Sequence, residues 1–330
     1  NDFVRQIVEK VINPFIAGMA SLGAAPTTPN GLSCIRLVGH EATASAGTIS
    51  AFGAQSAQGT LWDVLRGLLD VGPWTELFIE DRPEVMDDPK RPGGVVLVYR
   101  DNPFKDLDPA RGYIMPGATK IDALTVADDS VVALNVGRSD ANVANYFQVN
   151  MPRMSLIDGA TMSLAGQQRN PDAFYLTKHP NATPTLYGLR FMEADTQMGG
   201  ADSLGRVDGQ SAAAVKEGQR KDQLWIDQRR AQLMAMNKDN VVFETGSITL
   251  RGQATLRPGM YLRIQHGPLA LRPFVWECYV VAVQHRMVPF QGFVTVATFE
   301  RGTMFAERIR RGAGLDSAYL AEWNQGGALG

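Results

Sequence analysis

The chain predicts a mainly β protein with helices, of the α+β class, organised around antiparallel strands. Two observations carry that expectation. The run from Gly246 to Gly302 reads as successive strands with turn residues between them. Helical periodicity, by contrast, is confined to a few separated segments, of which 211–237 is the longest.

From the start of the chain, Val4, Ile7, Val8 and Val11 recur at helical spacing, and Asn13-Pro14 stops that face. Residues 21–31 are rich in Gly, Ala, Pro and Thr and read as a loop. Ser33 to Val38 is a short strand, and Thr43 to Gln58 reads as strand plus exposed loop. Thr60 can cap a helix with Asp63 three residues on. Leu61, Leu65 and Leu68 line one side of that helix, and Gly72-Pro73 ends it. Thr75 to Glu80 and Gly94 to Tyr99 form a hairpin whose acidic, Pro-rich tip lies between Asp81 and Gly94. Asp101 to Gly117 is a long loop with three prolines, of the kind used for contacts. Met151 to Gln210 carries little pattern beyond a strand-like Thr185 to Met192. Ser211 to Asn237 then reads as a long helix without proline, supported by Glu217 and Lys221 at i, i+4, with Gly218 the place for a bend.

Val241 to Leu250 is β-branched and apolar. Gly252 to Gly259 is a turn in which Pro258 presets φ and Gly259 can take φ > 0. In Met260 to His266, Leu262 and Ile264 alternate with Tyr261, Arg263 and Gln265, as in a half-buried strand. Trp276, Cys278, Val280 and Ala282 alternate with Glu277, Tyr279, Val281 and Val283. After a turn at Pro289 to Gly292, the set Phe293, Thr295, Ala297 and Phe299 repeats the pattern. Short strands at this spacing describe an antiparallel barrel or sandwich.

Composition limits the function classes. The 330 residues are 45% hydrophobic and 20% charged, enough for two or three domains with real cores. A formal charge of −2 leaves no electrostatic footprint for sequence-independent nucleic-acid binding. Cys34 and Cys278 read as free thiols of a reducing cytoplasm, with a single long-range disulfide as the alternative. No apolar run approaches the ~20 residues of a membrane-spanning helix. The chain begins at Asn1 without methionine or a leader, so further residues are expected to precede it.

Chemical sites are sparse. His40, His179, His266 and His285 are scattered, with no metal-ligand spacing, and His285 reads as a barrel-rim residue. No nucleophile elbow, Walker loop or dinucleotide fingerprint occurs. Glu76 with Glu80 or Asp81 could form the paired carboxyls of a glycoside hydrolase. Their place beside a charged hairpin rim with Arg82, Lys90 and Arg91 is the simpler account. Asp87-Asp88 and Asp128-Asp129 lack an EF-hand continuation and read as turn or capping residues. Arg308, Arg310 and Arg311 form a solvated basic face, or else a contact with nucleic acid or with an acidic patch on a partner. Phe305, Ile309, Leu315, Tyr319, Leu320 and Trp323 fall outside any barrel pattern, to be covered by this chain or by another subunit.

The sequence Gly252-x-x-x-Leu256-Arg257-Pro258-Gly259-Met260, the strand end Val281 to His285 and the close at Glu300-Arg301-Gly302 resemble the last barrel of the baseplate hub proteins of contractile phage tails. Type VI secretion spike proteins share that module. Gln58 to Asp70, with the two strands that follow it, is similar to the helix and hairpin after the family's first barrel. Arg138 to Val149 resembles the segment that re-enters that barrel. The stretches occur in the family's order and cover most of the chain in patches. In the family, a segment similar to Phe3 to Phe15 falls partway through the first barrel, so part of that barrel is expected to be absent here or supplied otherwise.

The resemblance implies two related tube-like antiparallel β-barrel domains plus smaller α+β insertions. The implied order is a partial first barrel at 1–60, a helix and hairpin domain at 61–130, a return to the first barrel with an irregular insertion at 131–210, a connecting helix at 211–240, the last barrel at 241–303 and an extension at 304–330. It implies a structural hub, without turnover or cofactor, that trimerises into a pseudo-sixfold ring between the tail tube and a threefold central spike. Implied partners are further copies of the chain, a tail tube or tube-initiator protein, the spike, baseplate wedge proteins and the tape-measure protein. No sequence-specific nucleic acid is implied. The place is the virion tail baseplate, assembled in the host cytoplasm. Contacts between subunits are expected at strand edges and loops, with Arg257, Pro258, Gly259, Phe305, Ile309, Tyr319 and Trp323 as interface residues. A tail-associated peptidoglycan hydrolase and a type VI spike component are the alternatives.

Overall fold

In the computed structural model, the hairpin of β14 (Val275–Val288) and β15 (Gly292–Met304) is the spine of the fold. The structure describes residues 10, 14, 36–38, 48–49, 60, 62–63, 66, 71–82, 94–102, 107–108, 112–113, 122–150, 181–196, 198–199, 212–265, 275–290 and 292–304. Most of the N-terminal 1–60, with Cys34 and His40, lies outside these residues. So do Asp87-Asp88, His179, His266, Arg308, Arg310, Arg311 and the expected interface residues Phe305, Ile309, Tyr319 and Trp323.

Upstream of the spine come β1 (Arg36–Val38), β2 (Thr48–Ile49), β3 (Thr75–Arg82), β4 (Gly94–Asp101), β5 (Leu107–Asp108), β6 (Gly112–Tyr113), β7 (Ala123–Ala127), β8 (Val131–Arg138) and β9 (Tyr146–Asn150). A one-turn helix α1 (Pro184–Tyr187), β10 (Phe191–Asp195), β11 (Met198–Gly199), the long helix α2 (Ala212–Asn237), β12 (Glu244–Arg251) and β13 (Tyr261–Gln265) complete the order. The chain is thus mainly β with few helices.

The principal sheet has six strands in the order β7, β13, β14, β15, β12, β8. Its two outermost strands are neighbours in sequence, joined only by the 3₁₀ turn Asp128–Ser130. A flat six-stranded sheet would hold its edges about 24 Å apart, whereas three 3₁₀ residues span roughly 6 to 8 Å. The sheet must therefore curl. The row of partners through Ala127 crosses β14 at Val275, while the row through Val131 crosses it at His285. That stagger is what strands tilted around a barrel require. The result is one curled half-barrel among the described residues.

Its concave side buries Ile248, Leu250, Leu262, Ile264, Trp276, Cys278, Val280, Ala297 and Phe299, and the Gly252 to Gly259 turn drops Leu256 into the same core. Full burial of each large aliphatic stabilises the fold by about 1.5 to 3 kcal/mol. The expected phase of β15 is observed, with Thr295, Ala297 and Phe299 buried. In β14 the phase changes at a bulge between Val280 and Ala282, so Val283 rather than Ala282 packs toward the core. In strand β13 the outward-facing Tyr261 is buried along with Leu262 and Ile264, whereas Arg263 is half-buried and Gln265 exposed. Gly246 lies at the β12 bulge, where an added Cβ would stand 1.9 Å from the Asn135 carbonyl oxygen. Gly246→Ala is therefore expected to separate β8 from β12, with loss of hydrogen-exchange protection at 131–138 and a lower Tm.

Other elements differ from the sequence pattern in detail. Thr185 to Met192 is not one strand: Pro184 starts a helical turn, Gly188 at φ 68° ends it, and pairing begins at Phe191. The long loop at 101–117 holds the short β5–β6 pair. Glu217 pairs with Arg220, at i, i+3. Residues 240–242 form a 3₁₀ turn before β12 starts. The expected cap is present: Thr60 Oγ1 donates to Asp63 Oδ2 at 2.7 Å, and the Asp63 amide donates back to Thr60 Oγ1 at 3.3 Å.

A second core lies under α2. Leu233 and Met236 pack on Trp74, Ala144, Phe147 and Val149, the last two from the parallel pair β9–β10. The Arg229 guanidinium lies between the rings of Trp225 at 4.3 Å and Trp74 at 5.4 Å, and the Trp74 indole donates to the Arg229 carbonyl at 3.0 Å. Arg301, the residue after Glu300 on β15, donates to the Met236 carbonyl at 2.7 Å and so ties the helix end to the half-barrel.

Candidate functional site

Two surfaces stand out, the seam where the β3–β4 hairpin covers the half-barrel and the open edge at β8. At the seam, strand alternation sends Glu76, Phe78 and Glu80 to the same face of β3. Arg100 stands opposite Glu76 in the β3–β4 register. Arg100 Nε donates to Glu76 Oε2 at 2.7 Å, and its Nη2 donates to the Gly259 carbonyl at 2.8 Å and to the Tyr279 hydroxyl at 2.9 Å. The Tyr279 hydroxyl in turn donates to Glu76 Oε1. Burial pushes the Tyr279 phenol well above its ordinary range, with the Glu76 charge adding to it, so this hydroxyl stays protonated and remains a donor. Burial opposes the Arg100 charge, but Tyr279 and Glu76 outweigh it and hold the guanidinium above the usual arginine value.

The seam explains the residues of the 257–259 turn. Arg257 Nε lies 3.1 Å from Glu80 Oε1, an ion pair by distance without hydrogen-bond geometry. Gly259 has φ 79° and is buried, and its missing side chain leaves room for Phe78 and Arg100, which a Cβ would approach to 2.6 and 2.7 Å. Pro258 precedes it at an intermediate position. Arg257 and Gly259 thus face the hairpin of their own chain. Glu76 and Glu80, the candidate hydrolase pair, are each paired with a guanidinium, Glu76 with Arg100 of its own hairpin and Glu80 with Arg257 across the seam. His285 is exposed on β14, with Nδ1 3.1 Å from Thr295 Oγ1. Asp128 and Asp129 sit in the 3₁₀ turn between the sheet edges.

The second surface was not singled out by sequence. Among the described residues no strand pairs with the outer edge of β8. Its register with β12 sets Leu134 opposite Ile248 and Val136 opposite Gly246, which places both on the concave, core-facing side. Ile248 is fully buried, yet Leu134 is 48% and Val136 38% exposed, and the bulged Val132 is 61% exposed. A free edge beside uncovered core-side apolar residues is a template for another strand. The available signal was the Val-Val-Ala-Leu-Asn-Val run itself, which reads as a strand but carries no mark of being an edge.

The fold defines a class, an α+β protein whose main body is a curled, largely antiparallel half-barrel in which only the β7–β13 pair is parallel, with a docked hairpin and helix. No protein-family model matches the chain, and no curated protein matches it. Its similar solved structures include a tail protein from Neisseria meningitidis MC58, at 11% identity over 73% of this chain and 55% of that one, with a TM-score of 0.30. A structure of the phage P2 baseplate in its activated conformation with Ca is similar at 8% identity over 69% of this chain and 49% of that one, with a TM-score of 0.18. The chain spans about half the length of these structures. Among the described residues no helix is long and apolar enough to cross a membrane.

Proposed function

We propose that this chain is a structural component of a phage-type tail baseplate, the hub that trimerises into a pseudo-sixfold ring between the tail tube and a threefold spike. The observation that carries the reading is the unfinished edge of the half-barrel at β8. A curled sheet that leaves Leu134 and Val136 uncovered on its core side is completed by contact with another chain, and joining several such sheets edge to edge makes a ring. The family resemblance of 252–260, 281–285 and 300–302 supplies the particular assembly. It brings the tube, spike, wedge and tape-measure proteins as partners, and a second related barrel in the first part of the chain. The protein acts in the virion tail, after assembly in the host cytoplasm.

The hub does no chemistry in this reading. The contacts of Glu76 with Tyr279 and of Glu80 with Arg257 support that part, since each carboxylate serves to dock the hairpin. The hydrolase alternative requires peptidoglycan clearing by the purified protein and its loss in Glu76→Gln.

The edge is tested with Leu134→Lys combined with Val136→Lys. Both side chains are substantially exposed, so the double variant is expected to keep its Tm within a few degrees while its assemblies fall to single copies in sedimentation velocity. Assembly equal to that of the unaltered chain would overturn the reading.

A further inference from the structure

A cleft of about 510 Å³ opens where the loop after β8, strand β10, the end of α2 and β15 meet. Most of its polar groups are already engaged. Arg301 is bonded to the Met236 carbonyl and lies 4.9 Å over the Phe243 ring. The Asn237 and Asn240 amides donate to Leu233 O and Asn142 O, and the Asn240 amide also donates to Asn237 Oδ1 at 2.9 Å. Glu193 accepts from Asn150. Glu300 differs. It lines the cleft, is half-buried, and receives no side-chain hydrogen bond among the described residues. Burial pushes its pKa up, Arg301 draws it down and the nearby Glu76 charge pushes it up again. Phe191, which lines the same cleft, is 68% exposed and packs against Tyr146 in an edge arrangement at 4.9 Å between ring centroids.

We propose that this cleft binds an arginine side chain presented by a partner protein, with Glu300 as the carboxylate acceptor and Phe191 as the aromatic face for the planar cation. A half-buried carboxylate that receives no side-chain donor among the described residues is suited to a hydrogen-bonding cation. Guanidinium fits better than ammonium, because its fork matches a carboxylate and its plane lies against a ring. An anion would meet Glu193 and Glu300 together. A hard divalent ion would need more oxygen ligands, and among the described residues no three potential metal ligands gather. The whole cleft belongs to one chain, so the inference does not rest on the assembly reading.

The probe is the peptide acetyl-Gly-Arg-Gly-amide, titrated by NMR into the full chain, with the lysine and citrulline peptides as comparators. Saturable shifts are expected at 191–193 and 300–301, weaker for lysine and absent for citrulline, which keeps the shape and loses the charge. Glu300→Gln is expected to weaken arginine binding about tenfold or more, the loss typical of a charged hydrogen bond.

That variant also checks its own folding. Glu300 has a raised folded pKa, so its contribution is favourable below the ordinary carboxylate range and is lost as pH rises through the folded value. Glutamine carries no such loss, and Glu300→Gln should therefore have the higher Tm near neutral pH, with the difference vanishing in acid. Equal binding of citrulline, undiminished binding by Glu300→Gln, or no saturable shift with any peptide would each overturn the proposal.

Discussion

Arg100→Ala is expected to destabilise the protein by about 3 to 5 kcal/mol, the cost of removing one member of a buried, hydrogen-bonded ion pair. The guanidinium is largely buried and serves three acceptors from two parts of the fold, Glu76 on the hairpin and Gly259 and Tyr279 on the half-barrel. Its loss leaves the Glu76 carboxylate facing Tyr279 with no countercharge and leaves the Gly259 carbonyl without this donor. The comparison that isolates the cause is Arg100→Met with Glu76→Met, which removes both charges and keeps the volume. Most of the stability is expected to return in that double variant, because desolvation of the surviving charge is what costs the single one. Denaturant midpoints for the two variants check this. A double variant no more stable than Arg100→Ala would mean that packing around Phe78, whose ring lies 5.4 Å from the guanidinium, sets the effect.

Trp74→Ala comes next, also at about 3 to 5 kcal/mol for a buried aromatic removed from a close-packed core. Trp74 is fully buried beneath α2, where it packs with Leu233 and Met236, stacks with Arg229 and donates its indole hydrogen to the Arg229 carbonyl. It also precedes the first residue of β3, so one side chain couples the helix to the hairpin. Hydrogen exchange should rise most in 225–237 and at 75–77, and less in β14 and β15. Trp74→Phe keeps the ring contact and loses the hydrogen bond, so its cost should fall to about 1 to 2 kcal/mol.

Elements whose pattern is local were legible in the sequence. The strands at 261–265, 275–288 and 292–304 follow from period-two alternation between turn residues, and α2 follows from helix formers uninterrupted by proline. The Thr60–Asp63 cap follows from its spacing. Contacts between distant segments were not legible. Glu76 reads as a rim charge until Arg100 and Tyr279 are brought to it, the latter 203 residues away. The bulge at Val281 inverts the later phase of β14 without any glycine or proline to announce it. Strand β8 reads the same whether central or at an edge, because edge position is a property of the sheet and not of the strand. The contacts of Arg257 and Gly259 with the hairpin of the same chain were not legible either, since loop chemistry shows that a turn forms and not what covers it.

The central claim is that the chain completes its half-barrel in assembly with its own copies, and the most direct test is the mass of the protein in solution by sedimentation equilibrium, alone and with a spike protein of the same tail. The account predicts three copies, either at once or when the spike is added. A single copy at every concentration, unchanged by the spike, would contradict it.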